Sequence, residues 1–157
     1  MKRSALCLLL ALSLAGPAAA QDANDLPADA PDIPDYLDVP DPSQELPLMD
    51  DALTAIFMGH THTGFYDIYG VRNGENNFTE VMRKDGTTTH TRAGVVSEGR
   101  WRTRGPIVCF DYDDLTGGCF SVYLRGNCHY AYSTVSRQFV AVSVIDGAVP
   151  TCEAPYV

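Results

Sequence analysis

Beyond residue 60, apolar and polar residues alternate with a period of two over short runs, the spacing of half-buried strands. His60–Tyr69 reads as a first strand, followed by the turn dipeptide Asn73-Gly74. Asn77–Lys84 is a second, with Phe78, Glu80 and Met82 opposed to Thr79, Val81 and Arg83. Asp85-Gly86 is a hairpin turn of the kind that needs positive φ, and Thr87–Ala93 returns from it. Gly99–Arg104, Pro106–Tyr112, Cys119–Arg125, Cys128–Tyr132 and Gln138–Ile145 follow, with the polar loop Asp113–Gly118 and the turn Gly126-Asn127 between them. The last run, QFVAVSVI, is strongly β-branched and is expected to be the most buried.

Eight short strands in succession predict an all-β fold, a single small antiparallel up-and-down β-barrel. Closure removes the exposed edges of so small a sheet. A flattened β-sandwich has the same periodicity and is the alternative. Ahead of the strands, Asp51–Met58 (DALTAIFM) places Leu53, Ile56 and Phe57 at helical spacing behind an acidic N-cap, and Gly59 ends it. A short helix is expected there.

The remainder of the chain has a different character. Residues 1–20 carry Lys2 and Arg3, an apolar run from Ala5 to Leu14 and Ala18-Ala19-Ala20, the layout of a signal peptide. Cys7 would leave with it. Residues 21–51 hold nine aspartates, Glu45, six prolines and no Lys or Arg. They read as an acidic, Pro-rich, disordered linker. In it Asp32, Asp35, Asp38 and Asp41 recur every third residue, as do Ile33, Tyr36 and Val39, so each class would line one edge of a polyproline II rod. The formal charge of −9 is therefore a property of the tail, because residues 52–157 carry ten acids against nine bases. Such a balance points away from nucleic acid as a partner, and no run is long enough to span a bilayer. The expected location is the periplasm or the medium outside a bacterium.

Four cysteines follow the leader, Cys109, Cys119, Cys128 and Cys152, an even number in an oxidising compartment. Cys109–Cys119 across a loop and Cys128–Cys152 at the C-terminus is the favoured pairing. With Tyr112 opposite Cys119, the first bridge requires a bulge or a shifted register. Zinc is the rival reading, but the spacing contains no Cys-x-x-Cys.

Phe57, Gly59 and Thr61, then Asp85-Gly86, then Gly99 and Trp101, then Cys109 and Cys119 form a pattern. It resembles that of an uncharacterised family of short exported proteobacterial proteins. The resemblance implies a lipocalin-like or inhibitor-like small barrel and transfers no catalytic residues.

Three groups are candidate sites. His60 and His62, at i and i+2 on a strand, would share a face and could grip one metal with His90 or His129 as a third ligand. The other reading leaves these histidines solvated or hydrogen-bonded. Arg100, Arg102 and Arg104 alternate with Trp101 and Thr103. Trp101 is expected inward as a core plug, and the arginines outward as a charged face or a receiver for carboxylates such as those of the tail. Aromatic residues occur on nearly every strand and either fill the barrel or line an apolar cavity. Asp111, Asp113 and Asp114 make an acidic loop without EF-hand spacing.

The chain contains no Gly-x-Ser-x-Gly, P-loop or dinucleotide fingerprint. The expectation is a non-enzymatic exported binding module for a protein or small apolar ligand, an inhibitor or envelope accessory factor, with no cofactor. The alternatives are a small metal-dependent hydrolase using the His-x-His pair and a structural, disulfide-stapled envelope module.

Overall fold

The period-two segments pair in chain order and the last closes on the first. In the computed structural model, which describes residues 39–67 and 74–152, helix α1 (Asp50–Phe57) precedes eight strands. These are β1 (Thr61–Tyr66), β2 (Asn77–Met82), β3 (Thr87–Arg92), β4 (Val95–Arg104), β5 (Ile107–Tyr112), β6 (Gly118–Arg125), β7 (Cys128–Ser133) and β8 (Phe139–Ile145). All neighbours are antiparallel and β1 pairs with β8, giving a closed up-and-down barrel. Two departures from the sequence reading bear on the shape of the barrel. β4 starts at Val95, because Ala93 and Gly94 both take positive φ and turn the chain at once from β3. The β5–β6 pairing stops earlier than expected, with Phe110 opposite Gly118 and Cys109 directly opposite Cys119. The register with Tyr112 opposite Cys119 is therefore wrong, and the first disulfide forms across a regular pair with Cα atoms 4.0 Å apart.

Closing eight short strands forces close backbone approaches. A Cβ on Gly64 would collide with the Val142 carbonyl of β8, so only glycine lets β1 bend across its neighbour. Ala131 and Tyr132 flank a register shift between β7 and β8.

Two apolar clusters result. The inner one joins Leu53 and Phe57 of α1 to Met82, Trp101, Val108 and Val122, so the helix plugs one end of the barrel. Trp101 is a core plug as expected, and its Nε1 donates to the Arg83 carbonyl at 2.9 Å. Thr54 and Thr103 share a 2.6 Å hydroxyl contact that ties helix to β4. The outer cluster comprises Phe65, Tyr123, Tyr130, Tyr132, Val142 and Val144, with Cys128 and Cys152 among them. β8 is thus buried on both faces, which explains its lack of polar alternation.

The end of the acidic segment packs on this outer side. Pro40 is fully buried and its carbonyl accepts from the Tyr132 hydroxyl. Leu48 N–H donates to Val122 O at 2.7 Å, and Glu45 pairs with Arg125. Residues 39–49 are therefore a packed strap leading into α1 rather than the end of a free linker, whereas the Asp/Pro repeat up to Asp38 lies outside the described residues.

Cys128–Cys152 closes the second bridge over a separation of 24 residues. It anchors a C-terminal segment whose Thr151 exchanges hydrogen bonds with Asn127. Replacing both cysteines by serine is expected to cost about 3 kcal/mol from loop-closure entropy, read as a lower midpoint in urea.

Candidate functional site

Inward positions of a barrel this size can be filled by side chains or left hollow. Here the plug occupies only one end. Above Phe57 lies a cavity of about 550 Å³. Its walls are mainly apolar and aromatic, from Phe78, Met82, Val108, Phe110, Phe120 and Val122. Small residues on the inner face help keep it open, Ser97 on β4, Ala131 on β7, and Ala141 and Ser143 on β8. The mouth faces away from α1 and is bordered by Ala93, Val95, Leu115, Thr116 and Gly117. Val95 and Leu115 there are exposed apolar side chains. Core filling by aromatics is thus only half the outcome, since the same rings also line empty space.

A polar cluster is set into the wall. Glu80, Thr88 and His90 are all buried, brought together because Glu80 pairs with His90 across β2 and β3. Glu80 Oε2 accepts from His90 Nδ1 and from the Tyr112 hydroxyl, each at 2.7 Å. Oε1 accepts from the Thr88 hydroxyl. Three donors thereby satisfy a carboxylate that would be costly to bury alone. The His90 ring is walled by Tyr66, Phe78 and Tyr112, with centroids 5.9, 5.8 and 5.6 Å away. Burial, reinforced by the Glu80 charge, pushes the Tyr66 and Tyr112 hydroxyls well above the usual phenol range. Both stay protonated, and Tyr112 is a permanent donor. Near the rim, Arg92 lies 5.3 Å from the Tyr66 ring centroid and donates to Glu75 O and Asn76 Oδ1.

A second polar pair sits lower. His62 Nε2 lies 2.8 Å from the carbonyl of Ile56 in the last turn of α1, and Nδ1 lies 3.0 Å from Ser143 Oγ. A carbonyl only accepts, so Nε2 carries the proton and Nδ1 accepts from the serine. Burial pushes His62 down to about 4 and His129 to about 3. The two rings are 5.0 Å apart, and His62 adds to the lowering at His129. His62 is therefore a neutral latch between helix and barrel, stacked on Phe57 at 4.9 Å.

The His-x-His reading does not survive this geometry. His60 precedes β1 and is exposed, while His62 points inward with both nitrogens engaged. Among the described residues no three His, Cys, Asp or Glu are grouped to hold a metal ion. His90 and His129 do line the same cavity as His62. Arg100, Arg102 and Arg104 are exposed on the outer face of β4, as expected. Among the described residues they make no ion pair, and the described part of the acidic segment pairs with Arg125 instead. Asp111 is exposed near the end of β5, and Asp113 and Asp114 are exposed on the β5–β6 turn.

The sequence reading includes Tyr112 only among the aromatic residues and does not single out Glu80. The signal was present: alternation places Glu80 between Phe78 and Met82, a carboxyl on an otherwise apolar face. No known protein family, curated protein or solved structure matches the chain. Among the described residues no helix is long and apolar enough to cross a membrane.

Proposed function

We propose that the protein is a non-enzymatic carrier that holds a small, largely apolar molecule inside its barrel. One observation carries this reading, the cavity of about 550 Å³ with aromatic walls and an open mouth. That volume lies within the range of about 300–1,000 Å³ typical of small-molecule sites. Among its polar groups, Glu80, His90 and Tyr112 are hydrogen-bonded to one another, as in a site that orients a ligand rather than attacks one. The lipocalin-like resemblance of the sequence fits a calyx of this kind. The leader-like residues 1–20 and the two disulfides support export to an oxidising compartment such as the periplasm.

A neutral naphthylamine dye whose emission rises in apolar surroundings tests the reading. The wild-type protein is expected to bind it at one saturable site. Ala131→Phe, which projects a ring from β7 into the cavity, is expected to weaken binding at least tenfold while leaving the urea midpoint close to that of the wild type. Equal binding by both proteins would remove the cavity as the site.

A further inference from the structure

We propose that His90 is the polar anchor of the cavity and that the molecule it selects is an uncharged, apolar or aromatic compound bearing a hydroxyl group. The inference rests on the carrier reading and narrows it to a ligand class. Nδ1 of His90 is committed to Glu80, whereas Nε2 has no partner among the described residues and belongs to a ring that lines the cavity. Most of the neighbouring polar groups are already used, the exception being His129, a cavity-lining ring whose Nδ1 has no partner among the described residues and which stands beside His62. Both Glu80 oxygens accept, the Tyr112 hydroxyl donates to one of them, and both His62 nitrogens are bonded. His90 Nε2 is thus held in fixed orientation by a carboxylate, which is how a protein aims an imidazole.

The chemistry of that nitrogen favours a hydroxyl. A hydroxyl both donates and accepts, so it meets Nε2 whether or not the nitrogen carries a proton. A ligand carboxylate at the same spot would lie beside Glu80, with like charges in a poorly solvated space. An ammonium would have to pass the Arg92 guanidinium near the mouth and lose its hydration against aromatic and aliphatic walls. An uncharged body with one hydroxyl avoids both costs, and the rings of Phe78, Phe110 and Phe120 offer it flat apolar contact.

The test compares three probes of one shape, a naphthol, the corresponding methylnaphthalene and the naphthoate, by calorimetry or by Trp101 fluorescence. Naphthol is expected to bind roughly five- to tenfold tighter than methylnaphthalene, the worth of one hydrogen bond, with naphthoate weakest. In His90→Phe the naphthol advantage is expected to vanish while methylnaphthalene still binds. Equal affinities for naphthol and methylnaphthalene in the wild type, or naphthoate as the tightest, would overturn the anchor and leave the carrier reading standing. Failure of all three probes to bind would overturn both. The wild-type ranking decides the matter even where His90→Phe does not fold.

Discussion

Lowering the pH from about 7 to about 4 is expected to remove roughly 3 kcal/mol of folding stability for each of His62 and His129. Burial holds their folded values at about 4 and about 3, against 6.5 for an ordinary histidine. Between those values and about 6.5 the unfolded chain binds protons that the folded chain refuses. Stability is therefore full above about pH 6.5, falls as the pH drops through the window, and levels off only below the folded values. The sign is opposite to that of a histidine gaining an acidic partner. Protonation would also place a second N–H on His62 facing Ser143 Oγ, and a positive charge 5.0 Å from the His129 ring centre. Urea titrations across the range should show close to two protons taken up on unfolding by the wild type, and close to one by His129→Gln. An identical pH slope in the two proteins would show that His129 is not the buried neutral group described.

Replacing Glu80 by leucine is expected to destabilise the barrel by about 3–5 kcal/mol, because it removes one partner from a buried polar cluster. His90 Nδ1, the Thr88 hydroxyl and the Tyr112 hydroxyl would all lose an acceptor, although Thr88 keeps its 3.0 Å contact with Val81 O. Glu80→Gln retains an acceptor oxygen and the shape, and is expected to cost less than half as much. Denaturant midpoints of the two variants check the order. Leucine and glutamine variants of equal stability would mean that the cluster adds no stability beyond its packing.

Much of the barrel is legible in the sequence because each strand has one inner and one outer face, and period two reports that directly. Trp101 inward with Arg100, Arg102 and Arg104 outward follows from alternation alone. β8 is recognisable by its missing polar positions, although alternation cannot say that the rings of Tyr130 and Tyr132 and a disulfide pack with its outer side chains. The exit of the Cys109 hairpin was misread because the loop residues Asp113 and Asp114 carry no signal for where pairing stops. The hollow interior was not legible for a different reason. Phe110 or Phe120 has the same character whether its inner neighbour is another ring or empty space. What opens the space is the set of small residues sharing the inner face, Ser97, Ala131, Ala141 and Ser143, which the strands contribute from distant positions. The His60–His62 spacing pointed to shared chemistry, but α1 claims His62 through the Ile56 carbonyl, a contact outside any strand pattern.

The central claim is that the barrel interior, and not its outer surface, receives an apolar molecule. Methyl NMR during titration with the neutral naphthylamine dye tests it most directly. The account predicts saturable shifts at Met82, Ala131, Ala141 and Val108 inside the cavity, with the outer Val144 unaffected. Shifts confined to Val96, Val135 or other exposed positions, with the inner methyls unmoved, would contradict it.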